Sequence, residues 1–261
     1  MANTIDTIYT MWLRELKRFV KSKSRILGTG GQPLIWLAIV GVGFGSALGV
    51  GALVGGVPYI TFMAPGIIGM TILFSSIFAG INVIFDKQFG FMKEILVAPV
   101  SRVGIVLGKI AGSATVSLIA ALTVLVIVII VGIVPLSSLS VLGIIEALVF
   151  MVLTSAIFVS VGLVIASSIN NMEGFQVIIN FFILPLFFLS GALFPLTEAP
   201  LWMKAISTVD PLRYGVDGMR GALIGAQTAS YPVVIDFVVV LGVAIVLVAI
   251  ADLAFRKMQG K

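Results

Sequence analysis

The sequence of 261 residues is 60% apolar and 10% charged, with a mean hydropathy of +1.23; it is too apolar to keep a soluble surface and reads as an integral membrane protein. With no cysteine and no histidine it lacks disulfides, a thiolate nucleophile and an imidazole for metal or general-base work, so no active site and no bound cofactor or metal is expected within it. Its formal charge of +5 is read as Lys and Arg held on the cytoplasmic side of a membrane, not as a nucleic-acid surface.

The opening stretch, about the first 25 residues, is charged throughout and holds no continuous apolar run of the kind a cleavable signal needs. Within it Ile5, Ile8, Tyr9, Trp12, Leu13, Leu16, Phe19 and Val20 share one helical face, while Arg14, Lys17, Arg18 and Lys21 take the other. That pattern predicts an amphipathic helix lying in the membrane interface; docking of the same helix on a cytoplasmic partner is compatible with it. Six segments approach the roughly 20 apolar residues of a span: Pro33–Leu53, Tyr59–Phe85, Val103–Val134, Val141–Ser167, Gln176–Phe194 and Val233–Phe255. Lys109, Glu146, Asp236 and Asp252 each fall within about two turns of a segment end, where a side chain can reach the headgroups. No ionisable residue sits mid-membrane, which argues against an ion-coupled carrier. Lys and Arg number 13 on the side of both termini and 3 on the other, so both termini are expected in the cytoplasm. The three on the far side are Lys204, Arg213 and Arg220.

Gly41, Gly45 and Gly49 give the first span a bare face, suited to close packing within the chain or against another subunit. The third span, rich in Val and Ile, reads as lipid-facing filler. In the loop 86–102, Phe91, Ile95 and Leu96 form one face of a short helix ending before Pro99, with Lys93 and Glu94 pointing away. A plain connector needs no Phe89 and Phe91, so this element reads as a docking knob for a soluble partner. After the fifth span, residues 195–230 read as a re-entrant hairpin outside the span count. Pro195 ends the span, Pro200 to Ile206 form a short helix, and Asp210 caps a second one with Pro211 in its first turn. Arg213, Asp217 and Arg220 follow at helical spacing and are expected to neutralise one another, while Leu212, Val216, Met219 and Leu223 dip into the outer leaflet.

Three features together resemble the ABC-2 type permeases, the membrane subunits of ATP-driven exporters, in particular the daunorubicin-resistance-like branch. They are the amphipathic helix ahead of six spans, the run DKQFGFMKEILVAPVSR at 86–102, and the blocks LSGALFP at 189–195 and DPLRYGVDGMR at 210–220. The resemblance implies an all-α fold over 1–261 as one transmembrane domain: interfacial helix 1–30, spans 1–5 over 33–194, coupling loop 86–102, extracytoplasmic hairpin 195–230 and span 6 over 233–255. It implies a prokaryotic cytoplasmic-membrane permease that pairs with a second copy or a related permease and with two cytoplasmic ATPase subunits. Residues 104–109 read GIVLGK, which misses the phosphate-loop spacing, so ATP and Mg are expected on the partner subunit.

In that family the segment matching Lys87, Gln88, Phe89, Gly90, Phe91, Met92, Lys93 and Glu94 is the coupling helix. Its run usually opens on an acid, Arg and Glu, where this chain has Asp86, Lys87 and Gln88, so one acidic contact to the ATPase is missing or shifted to Glu94. The resemblance makes the second and fifth spans the cargo path, which here offers Phe74, Phe78, Asn82, Asn180, Phe181, Phe182, Phe187 and Phe188. A Phe-rich wall suits a hydrophobic or amphipathic compound such as a drug, antibiotic or lipid. Gly191, Pro195, Pro211, Arg213, Tyr214, Asp217 and Arg220 match the element that closes the outer end of the path. A secondary carrier or channel, and a non-transporting scaffold, are the competing classes.

Overall fold

The computed structural model describes residues 4–43, 53–90 and 100–258. Helix α1 (Thr4–Lys21) leads into α2 (Lys23–Trp36), which runs on through a π-helical turn, Leu37–Val42. A two-stranded hairpin, β1 (Leu53–Val54) and β2 (Val57–Pro58), turns on Gly55 and Gly56, both at positive φ, the conformation a tight antiparallel hairpin requires and glycine supplies. Then come α3 (Tyr59–Gln88), α4 (Arg102–Ile130), α5 (Val141–Ser168), α6 (Met172–Leu189), α7 (Leu201–Val209), α8 (Pro211–Leu223) and α9 (Val233–Met258).

Five helices among the described residues, α3, α4, α5, α6 and α9, are long and apolar enough to cross a membrane. Of the expected first span, the apolar helical part is Gly31–Val42, and Gly45 and Gly49 fall outside the described residues. Gly41 packs within the chain: a Cβ there would meet Ile60 Cγ1 of α3 at 2.9 Å. In α6 the helix widens into a π turn at Ile179–Ile183 just ahead of Pro185, where the missing proline N–H leaves a carbonyl without its usual partner.

Helix α3 is the centre of the bundle. Its most apolar stretch is 78% buried within the chain, against 22% for α6 and 17% for α9, whose other faces point outward. Backbones touch where glycines meet: Gly80 of α3 lies against Gly162 of α5, an approach that small residues permit without a hydrophobic driving force.

Two sequence expectations change here. Helix α1 buries not the broad apolar face but a narrow stripe, Thr7, Met11, Glu15 and Phe19, and leaves Ile5, Tyr9 and Val20 exposed. The cause lies on α4, which is not filler. It turns Gly104, Gly108 and Gly112 toward that stripe, and added Cβ atoms there would meet Thr7 Cβ at 2.9 Å, Met11 Cβ at 2.6 Å and Glu15 Cβ at 2.8 Å. Gly108→Leu is therefore expected to force α1 away from α4 at a cost of about 1–3 kcal/mol. Faster limited proteolysis within residues 4–21, with the rest of the chain intact, is the readout.

Candidate functional site

The α1–α4 seam holds a buried ionic cluster at the foot of α3. Asp86, in the last turn of α3, is 2% exposed and takes Lys109 Nζ of α4 at 2.8 Å on Oδ2. Its Oδ1 faces Arg14 at 3.1 Å and Arg18 at 3.6 Å, both on α1. Lys109 also lies 3.8 Å from Glu15, whose other oxygen accepts from Asn82 at 3.5 Å. Charges taken this far from water persist only when paired. Lys109 therefore does not reach the headgroups as expected, because two carboxylates hold it inside.

The sequence-predicted coupling residues begin immediately after this cluster. Lys87 donates to the carbonyls of Ala166 (2.7 Å), Ser167 (3.2 Å) and Ile169 (3.3 Å) and to Asn170 Oδ1 (3.3 Å). It thus caps the carboxyl end of α5, where unsatisfied carbonyls and the helix dipole favour a cation. Gln88 donates to the Asn170 carbonyl at 3.1 Å. Phe89 is 70% exposed, and Gly90 ends the helix at φ 77°. Phe91, Met92, Lys93 and Glu94 lie outside the described residues. Asp86, the acid that opens the run, faces inward to its ion pairs with Lys109, Arg14 and Arg18.

Of the expected path residues, the fold brings four together. Phe74 and Phe78 are 6.5 Å apart, Phe74 meets Phe187 edge-on at 6.2 Å, and Phe187 meets Phe188 at 5.4 Å. Phe74 and Phe78 line a cavity of about 220 Å³ between α2 and α3, with Gln32, Thr71 and Ser75 as its polar groups. Asn82 belongs to the ionic cluster instead. Asn180 pairs with Gln176 at 3.3 Å, and Phe181 and Phe182 face outward, 74% and 68% exposed.

The other end of the bundle is organised by α8. Asp210 Oδ1 accepts from the Leu212 N–H at 2.9 Å, with Pro211 in the first turn. Leu212, Val216, Met219 and Leu223 do not dip into a leaflet: all are buried against the chain itself. Bare backbone makes room for them, since Val216 and Leu212 close over Gly69 of α3, and Gly215 and Gly218 face Thr154 and Phe150 of α5.

The three charges also divide differently from the expected mutual neutralisation. Arg220 pairs with Asp217 at 3.4 Å, donates to the carbonyls of Phe62 (3.3 Å), Gly191 (3.2 Å) and Ala192 (3.4 Å), and stacks 3.9 Å from the Phe62 ring centre. Asp217 also accepts the N–H groups of Ser230 (2.7 Å) and Tyr231 (2.9 Å). Arg213 turns away to Ser207 Oγ at 2.8 Å and to the Tyr231 ring, while the two oxygens of Asp217 are taken by Arg220 and by the backbone amides of the loop before α9. Tyr214 stacks on Tyr231 at 5.6 Å and donates to the Thr208 carbonyl. Gly191, at φ 79°, ends α6, and Pro195 lies exposed beyond it. Burial lowers the Arg220 guanidinium to about 10, partly offset by Asp217, so it stays charged at neutral pH.

Burial raises the Asp210 carboxyl to about 7, against the Leu212 N–H and Arg213. The folded state therefore keeps a proton that the unfolded chain releases near 3.8, and stability is lost as pH rises from that value through about 7. Asp210→Asn keeps the capping oxygen and is expected to flatten that slope. Melting of wild type and variant, followed between acid and neutral pH, should diverge in favour of the variant as pH rises.

Asp236, expected near the headgroups, is fully buried in the first turn of α9 with both oxygens unpartnered. The sequence carries a signal for the ionic cluster: Gly104, Gly108 and Gly112 repeat every fourth residue of the third span, with Lys109 beside them.

Comparison with known proteins matches the ABC-2 type transporter family model to residues 6–224. The chain is 27% identical to nodulation protein J of Rhizobium leguminosarum bv. viciae, over 95% of this chain and 94% of that one. It is 31% identical to the transport permease ycf38 of Porphyra purpurea, over 72% and 64% respectively. The inner membrane transport permease YadH of Escherichia coli K12 is 25% identical over 88% and 89%. With its apolar helices packed around α3, this multi-pass membrane protein belongs to the ABC-2 type transporter family.

Proposed function

We propose that the chain is the permease subunit of an ATP-driven exporter that moves a hydrophobic or amphipathic compound across the cytoplasmic membrane of a prokaryote. ATP and Mg are held by two separate cytoplasmic ATPase subunits, and both termini lie on their side of the membrane. The observation that carries this reading is the buried cluster of Asp86, Lys109, Glu15, Arg14 and Arg18. It clamps the root of the 86–102 loop to α1 and α4, so a push on the loop moves three helices as one body and, through Lys87, the end of α5. A flexible connector would dissipate that push.

In this reading residues 33–53 supply the first of six spans, and α7 with α8 forms the extracytoplasmic hairpin whose shape Asp217 and Arg220 hold. The outward face of α6, carrying Phe181 and Phe182, meets a second permease, and Phe74, Phe78, Phe187 and Phe188 offer the cargo an aromatic wall. Phe89 is the exposed anchor for the ATPase. Phe89→Asp is expected to lower cargo-stimulated ATP hydrolysis by about tenfold or more, while membrane insertion and yield stay unchanged. Undiminished stimulation in the assembled complex would sink the coupling assignment.

A further inference from the structure

The three basic residues beyond the cytoplasmic set converge on one cavity at the α8 end of the bundle. This cavity, about 690 Å³, has Lys204, Arg213, Arg220 and Asp217 in its wall, a size suited to a small ligand or headgroup. Among the described residues Asp217 is the only acid lining it, and that carboxylate is already taken by Arg220 and two backbone N–H groups. Asp236 is near enough to feel Arg213 and Asp217 but does not line the cavity.

Lys204 and Arg213 are left without a carboxylate within ion-pair distance among the described residues. Lys204 donates to the Thr197 carbonyl, and Arg213 uses Nη1 on Ser207, which leaves its Nε and Nη2 donors without a hydrogen-bond acceptor there. Neither cation has a carboxylate in ion-pair contact among the described residues; Arg213 also stacks on the Tyr231 ring and acts on Asp210 and Asp236 at longer range, and Lys204 and the remaining donors of Arg213 are left to the cavity. A planar carboxylate offers two acceptor oxygens, whereas a phosphoryl group presents several in different directions, which a Lys point charge and an Arg fork approach from separate elements. Next to the cavity, α7 exposes Leu201, Trp202, Ile206 and Val209, an apolar surface on which acyl chains can lie.

We propose that this cavity binds a net-anionic phosphoryl group through Lys204 and Arg213. The test is native mass spectrometry of the full chain, offered equal amounts of phosphatidylglycerol and phosphatidylcholine with the same acyl chains. Wild type is expected to retain the anionic lipid in preference by about tenfold, the contribution of one or two charge-assisted hydrogen bonds. The pair Lys204→Gln with Arg213→Gln should retain both lipids equally, and Lys204→Arg with Arg213→Lys should keep the preference. Should the double glutamine variant misfold, Lys204→Gln alone carries the comparison, because this half-exposed residue makes a single hydrogen bond.

A parallel arm adds inorganic phosphate to lipid-free protein and follows melting. A rise in wild type that the glutamine variants lack assigns a free phosphate as an occupant; a rise only with phosphatidylglycerol assigns a headgroup. Equal lipid preference in wild type and the glutamine variants, with no phosphate effect specific to wild type, overturns the proposal. None of these readouts involves ATP, so the outcome is independent of the exporter reading.

Discussion

Lys109→Met is expected to destabilise the folded chain by about 3–5 kcal/mol, the usual consequence of leaving buried charges without their partner. Lys109 is 2% exposed, and without its ammonium Asp86 keeps only the half-exposed Arg14 and Arg18, while Glu15 keeps only Asn82. A lower melting temperature and early release of α1 to protease are the measurable signs. The double change Lys109→Met with Glu15→Gln should recover a large part of the loss, since it removes one acid together with the cation. If the single variant melts with wild type, the cluster neither holds α1 nor transmits anything from the loop.

Arg220→Lys is expected to lose nearly as much stability as Arg220→Ala, about 3 kcal/mol or more. One guanidinium serves three carbonyls from α3 and the end of α6, one carboxylate and one aromatic face. A lysine ammonium carries its three donors on one nitrogen and cannot span acceptors that the guanidinium reaches from three, so the nominally conservative change strands carbonyls and leaves Asp217 underpaired in a buried site. Because Arg220 joins α8 to both neighbours, the variant should also free residues 189–196 to exchange amide hydrogens faster. Wild-type exchange there would show that the hairpin is held by apolar packing alone.

Much of the local structure was legible in the residues. Pro211 behind Asp210 fixes the start of α8 because a side-chain acceptor and a residue lacking N–H are what a helix N-terminus tolerates. The long apolar runs give α3, α4, α5, α6 and α9 nearly to their ends, since a backbone surrounded by hydrocarbon must satisfy its hydrogen bonds internally. The aromatic cluster was legible in part: Phe74, Phe78, Phe187 and Phe188 meet, while Phe181 and Phe182, only a turn or two away, face outward. Helical phase around the π turn at Ile179–Ile183 decides between them.

The sequence by itself determined that this chain is a bundle of apolar helices with an amphipathic leader, because hydropathy and periodicity are local properties that each segment carries alone. Only the tertiary structure decided the fate of the charges. Lys109 and Asp86 lie 23 positions apart, and Arg14 reaches Asp86 across 72. Whether such residues meet depends on which helix faces the glycines of α4, not on their own neighbourhoods. The same holds for Arg213 and Arg220: their spacing around Asp217 on α8 predicts mutual neutralisation, but Asp217 takes Arg220 and the amides of Ser230 and Tyr231 from the loop before α9, and Arg213 turns to Ser207 and the Tyr231 ring instead.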